Sequence, residues 1–158
     1  MRPTDRSLLS DLPAESLVAA LASWRWLLGE DLRPRWLSLS GDVFLVGALG
    51  EVFWLDTGGG TLTRIAASEQ ELEERLAEAV WRDEWLLESV IEERARQGRV
   101  PGAGECLGFR ILPVLGGAYD GENRVVVAGA EHVGLTGELH RQIRDLPDGT
   151  AVRLEIVD

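Results

Sequence analysis

Lysine is absent from this chain, and cysteine, methionine and tyrosine each occur once in 158 residues. Without lysine there is no group for a Schiff base or a Ser-Lys dyad. The single thiol, Cys106, excludes an internal disulfide and fits a reducing compartment. Its neighbours Leu107, Gly108 and Phe109 mark it as an inert buried thiol. Long apolar runs are also missing: nothing approaches the ~18 consecutive apolar residues of a membrane helix. The segment Met1 to Ser7 has no apolar signal core, so export by that route is not expected and a cytoplasmic location is. No Gly-x-Ser-x-Gly elbow, His-Glu-x-x-His pair or P-loop ending in Gly-Lys occurs. The sequence therefore assigns no catalytic residue, no cofactor and no enzyme activity.

Positive charge is scarce as well. The formal net charge is −11, which disfavours nucleic acid, since phosphate binding needs a basic footprint. It favours a basic partner, whose encounter would be electrostatically steered. With 45% hydrophobic and 27% charged residues, the remaining composition is that of an ordinary globular domain able to bury a core.

What is present reads as alternating local signals. A helix is expected from Ser10 or Asp11 to Gly29, with Pro13 in its first turn and Leu17, Val18, Leu21, Trp24 and Leu28 on its buried face. Four short β-prone stretches follow, Trp36 to Ser40, Asp42 to Val46, Glu51 to Leu55 and Thr61 to Ile65. They are separated by Gly41, Gly47 to Gly50 and Gly58-Gly59-Gly60, as in an antiparallel meander. Ser68-Glu69-Gln70-Glu71 is a capping box that opens a second helix. A third runs from Arg82 to Gln97, either separate or continuous after a kink. Arg99 to Gly104 reads as the best linker, Arg124 to Ala128 as a strand, Glu131 to Arg144 as the last helix, and Ala151 to Val157 as a closing strand. The expected fold is α+β, a mainly antiparallel sheet with about four helices. It forms one domain over 1–158, with a helical segment over 1–35 ahead of the remainder, 36–158.

Glu105 to Asn123 combines an apolar run, Pro113, Gly116-Gly117 and the turn dipeptide Asp120-Gly121, without helical periodicity. Such a segment reads as a buried strand leading into a structured loop with a binding role, in which Tyr119 is either a recognition residue or an anchor. His132 and His140 lie eight residues apart on the last helix, with no third histidine. Two half-buried histidines bonded to backbone or to a carboxylate fit better than a zinc pair at i, i+4 spacing, so no metal site is assigned.

The acidic residues concentrate on the central helices. On a helical wheel Leu86, Leu87, Val90 and Ile91 share one arc, while Glu84, Glu88 and Glu92 fall opposite with Trp85 among them. Glu74 and Glu78 form another like-charge pair, each such pair costing a few tenths of a kcal/mol, about 0.2–0.5, when exposed. One reading is a surface for a basic partner anchored by Trp85. The other is that Trp81 and Trp85 plug against the sheet or the first helix, with the glutamates solvated around them.

The order Glu105-Cys106-x-Gly108-Phe109, Leu115-Gly116-Gly117-x-Tyr119-Asp120, Glu122-Asn123, His132, Gly137-x-Leu139-His140 and Leu146-Pro147-Asp148-Gly149-Thr150 resembles the C-terminal domain of type VI secretion immunity proteins. Gly41 to Leu45 and Gly50 to Asp56 resemble the same domain's paired strands, so the resemblance runs from about Trp36 onward. Many members carry a further domain ahead of this one, which 158 residues are expected to lack. The resemblance implies a protein that binds and neutralises a secreted toxin, a DNase in that family, by occluding its basic surface. Partner-binding candidates are Glu74, Glu78, Glu84, Trp85, Glu88 and Glu92, together with Gly116, Gly117 and Tyr119. A stand-alone adaptor of the same fold is the alternative, and an enzyme using His132 and His140 beside the Gly116-Gly117 loop is a third.

Overall fold

A computed structural model of the chain describes residues 8–153. The first helical segment forms as expected but not as one cylinder. It comprises α1 (Ala14–Ala20), a 3-10 stretch (Leu21–Trp24) and α2 (Arg25–Leu28). Leu17, Leu21 and Trp24 are buried, whereas Val18 is 61% exposed and Leu28 only half-buried. Within α1 it is Leu17 and not its neighbour Val18 that faces the core, and the tightened 3-10 turn shifts the phase of the residues after it.

Four antiparallel strands follow, β1 (Arg33–Leu37), β2 (Val43–Val46), β3 (Val52–Asp56) and β4 (Thr61–Ala66), paired in the order β1-β2-β3-β4. The continuous apolar run of β2 has a reason: both faces of the sheet are covered. Val43 and Leu45, with Leu37 and Leu55, face Leu17, Trp24 and Val133 in one core cluster. Phe44, with Val52 and Ala66, faces Leu72, Leu76, Trp85 and Leu86 in the other. Because successive strand residues point to opposite sides, one strand feeds both cores.

Three helices cover the second face: α3 (Glu69–Leu76), α4 (Ala79–Leu86) and α5 (Glu88–Arg96). The capping box forms, with Ser68 Oγ accepting from the Glu71 N–H at 3.1 Å. The Glu71 carboxylate reaches back to the Ala67 N–H at 2.8 Å. The expected third helix is divided at Leu87, which adopts the left-handed conformation with φ 49°. This break overturns the helical wheel drawn across residues 84–92, since the two halves do not share one axis.

The chain then forms a separate two-stranded ribbon, β5 (Glu105–Phe109) with β6 (Arg124–Ala128), and ends the core with α6 (Gly129–Ile143). The Leu107 N–H donates to Leu39 O at 2.7 Å and so moors the ribbon to the first sheet. The expected linker is not a free tether. Gly104 N–H donates to Asp11 Oδ1 at 2.7 Å, and Gly104 O accepts from the Gly129 N–H at 2.9 Å. Of the closing strand expected over 151–157, residues 151–153 are not in a strand and the rest lie outside the described residues. The fold class is the expected α+β with antiparallel pairing throughout.

Candidate partner-binding site

The hairpin between β3 and β4, the ribbon and α6 converge on a buried polar node. Asp42, at the start of β2, accepts from Trp54 Nε1 at 3.0 Å and from the Thr57 N–H at 3.0 Å. Thr57 Oγ1 lies 3.2 Å from Asp42 Oδ1, 2.8 Å from Gly41 O and 2.9 Å from His132 Nε2. His132 Nε2 is also 3.1 Å from Gly41 O. A carbonyl can only accept, so Nε2 carries the ring proton and donates to Gly41 O, leaving Nδ1 as a lone pair. His140, one helical stripe further along, donates from Nε2 to Thr57 O at 2.9 Å. The histidines are more deeply buried than expected, but they bond to backbone as the sequence reading has it.

Burial dominates the electrostatics here. It pushes the Asp42 carboxyl, together with the Asp56 charge, up to about 7. It holds the His132 imidazole down at about 4, helped by the Arg124 guanidinium, and lowers His140 as well. Cys106 is pushed up to about 12 by the same desolvation, which makes it an unreactive thiol. Arg124 is buried and held entirely by carbonyls, those of Gly108 (3.2 Å), Tyr119 (3.0 Å), Leu107 (3.1 Å) and Ser40. Its guanidinium lies 4.0 Å from the Phe109 ring centroid. The arrangement is a strut between sheet, ribbon and loop. Thr57 is wholly buried, so its hydroxyl, within bonding distance of Gly41 O and Asp42 Oδ1, is not presented to solvent. Among the described residues, no three His, Cys, Asp or Glu side chains are grouped to hold a metal.

The loop 110–123 leaves this node toward solvent. Asn123 closes it: Oδ1 accepts from the Ile111 N–H at 2.9 Å, and Nδ2 donates to Ile111 O at 2.8 Å and Ala118 O at 2.6 Å. A Cβ on Gly117 would stand 1.8 Å from Ile111 O, so only glycine permits this closure. Gly116, at φ 100°, takes the left-handed turn beside it. Tyr119 donates its hydroxyl to Asp56 Oδ2 at 2.9 Å and meets Phe109 edge-on, yet it remains 39% exposed. It is thus an anchor for the loop with one face still free. Between the loop, the ribbon and α6 opens an apolar cavity of about 310 Å³, with Ile111 and Leu135 at its rim.

The acidic candidates fall on the other side of the sheet. Glu74, Glu78, Glu84 and Glu92 are exposed, while Glu88 is half-buried and paired with Arg82 at 2.8 Å. Trp85 does not face outward: it is 5% exposed, stacked on Trp81 at 4.7 Å and packed into the second core cluster. Trp85 and Leu86 form the buried face of α4 while Glu84 beside them stays outside; the left-handed turn at Leu87 then starts α5 on a new axis. A cleft lined by Ser89, Val90, Glu93 and Arg96 of α5 and by Asp120 and Gly121 joins this face to the loop.

Sequence reasoning missed Asp42, Thr57 and Arg124 as an interacting set. The signals available were an acidic residue before a wholly apolar strand and an arginine heading Val125-Val126-Val127. Neither indicates its partner, because the contacts join different elements, from 12 residues apart for Asp42 and Trp54 to 84 for Arg124 and Ser40.

No curated protein matches the chain. Residues 66–140, which hold α3 to α5, the ribbon, the loop and nearly all of α6, match the family described as T6SS immunity protein Tdi1, C-terminal. Gly41 to Asp56 and Leu146 to Thr150, which the sequence resemblance included, lie outside the matched segment. The segment carrying the loop and both histidines is therefore similar to the C-terminal domain of a type VI secretion immunity protein.

Proposed function

We propose that this protein is an immunity protein that binds a cognate secreted toxin, a nuclease, and neutralises it by covering its basic active surface. The observation that carries this is the family match over 66–140. Physical fit supports it: a nuclease cleft must attract phosphate, and a chain of net charge −11 is drawn to such a cleft. Neutralisation by covering a surface needs no catalysis by this chain. The chain acts as one domain, in the cytoplasm of the cell it protects. Glu74, Glu78, Glu84 and Glu92 supply the attracting face, Glu88 contributes through its free oxygen, and Gly116, Gly117 and Tyr119 form the adjoining loop. Trp85 is withdrawn as a contact because it belongs to the core.

The test is co-expression with a candidate toxin domain taken from a gene adjacent to this one, scoring cell survival and isolating the complex. Survival with a stable complex is expected. Cell death despite abundant folded protein, with no complex at micromolar concentration, would refute the reading.

A further inference from the structure

The cavity between loop 110–123, the ribbon and α6 has a feature that plain apolar packing does not explain. Its floor carries His132, 6% exposed, whose Nε2 is committed to Gly41 O and Thr57. Nδ1 has no hydrogen-bond partner among the described residues. Arg94 Nε is the one sealed side-chain nitrogen or oxygen without a partner among them, so Nδ1 of His132 is open to the cavity. Gly108 keeps it open: a Cβ there would stand 3.2 Å from Nδ1 and 2.7 Å from Val127 Cγ2. Since Nε2 bears the proton, Nδ1 presents a lone pair to whatever enters.

The walls are apolar, formed by Phe109, Leu112, Leu115 and Val127, and the rim exposes Ile111 (55%) and Leu135 (70%). Glu131 stands exposed at the mouth. Arg110, at the same mouth, is held by Glu122 O at 2.9 Å. A cavity of about 310 Å³ falls within the range of pockets that bury a compact ligand group. Buried aromatic anchors seated in such pockets dominate protein interfaces, with Trp and Tyr foremost.

We propose that this cavity is the anchor pocket for a tryptophan or tyrosine side chain of the partner, whose N–H or O–H donates to His132 Nδ1. A basic residue next to that aromatic faces Glu131. The proposal rests on the immunity reading and adds to it the place and the chemistry of the contact. An aliphatic anchor would fill the walls but leave Nδ1 unpaired, and a carboxylate would meet a lone pair and Glu131.

Two measurements test it on the whole chain. Indole, para-cresol and toluene are titrated separately while backbone amides and the His132 ring nitrogens are followed by NMR. Indole and para-cresol are expected to shift Gly108, Leu135 and Thr136 and to move the Nδ1 resonance, binding about fivefold tighter than toluene, the factor of one net hydrogen bond. Equal binding of toluene, or no groove shifts with any probe at millimolar concentration, would overturn the pocket. The second measurement is affinity for the toxin domain. Leu135→Arg, at an exposed rim position, is expected to keep the native spectrum and to lose binding at least tenfold. Undiminished binding by Leu135→Arg would overturn the pocket while leaving the immunity reading intact. A wild-type chain that binds no toxin would remove that reading itself, and the named partner with it.

Discussion

His132 and Asp42 are both displaced from their ordinary ionisation by burial, and their effects on stability run in opposite directions. His132 titrates near 4 in the fold against 6.5 in an unfolded chain, so its contribution is lost as pH falls through that window. Asp42 titrates near 7 in the fold against 3.8 unfolded, so it takes up its proton earlier when folded and stabilises as pH falls from 7 toward 3.8. Each effect amounts to about 3–4 kcal/mol when fully developed, and between pH 4 and 6.5 they largely cancel. Replacing Asp42 by Asn removes one side of this balance. Urea unfolding at neutral pH and near pH 4 is expected to show the stability gap between Asp42→Asn and the parent widening on acidification. A gap independent of pH would mean that Asp42 is ionised in the fold. At the same scale, Asn123→Ala removes three hydrogen bonds that close the loop. A loss of about 2 kcal/mol is expected, with faster amide exchange concentrated over 110–123; a uniform exchange change would argue against a local role.

Among the elements, the division of the third helix at Leu87 has the largest consequence. It separates Glu88 and Glu92 from the helix that carries Trp85, and on that helix Trp85 is a core residue stacked on Trp81. Trp85→Ala should therefore act on stability, costing about 3–5 kcal/mol as a large-to-small core substitution. Denaturant unfolding should show that loss, with toxin affinity unchanged under conditions where the variant remains folded. A stable variant with weakened binding would return Trp85 to the interface. Local sequence made much of the element structure legible. The glycine-punctuated stretches became β2 to β4, whereas β1 forms at Arg33–Leu37, earlier than the expected Trp36 to Ser40, and Ser68 and Glu71 made their capping bonds. The break at Leu87 was not legible, because leucine carries no signal for a left-handed turn, which costs it roughly 1–2 kcal/mol. Contacts across the break help to hold it: Asp83 Oδ1 accepts from the Ser89 N–H at 2.9 Å, and Arg82 pairs with Glu88 at 2.8 Å.

For the molecule as a whole, charge and shape divide the proposed work. In the proposed complex the exposed glutamates of α3 to α5 would act at long range, on how fast a basic partner arrives. Replacing Glu74, Glu84 and Glu92 together by Gln is expected to slow association with the toxin domain several-fold at low salt and to flatten its salt dependence. Dissociation should change little. Stopped-flow or surface kinetics at two salt concentrations would decide it, and an unchanged association rate would place the contact elsewhere on the surface. The loop residues Gly116, Gly117 and Tyr119 do not lie on that acidic face, although the cleft beside Asp120 brings the two regions into continuity.

The sequence by itself determined the α+β class, the meander, the capped helix and the acidic charge, because each depends on neighbours within a few residues or on composition alone. It also carried the segment resemblance, through the glycines, Asn123 and the histidines that the loop geometry requires. Tertiary structure alone decided that Trp85 turns inward and that Arg124 is held by carbonyls of β5, of the turn at Ser40 and of the loop at Tyr119. It likewise decided that His132 bonds to Gly41 and Thr57 across the core while its other nitrogen opens into a cavity. The His132 contacts join residues 75 and 91 positions apart. Their energies come from burial and from satisfying buried polar groups, neither of which local periodicity encodes.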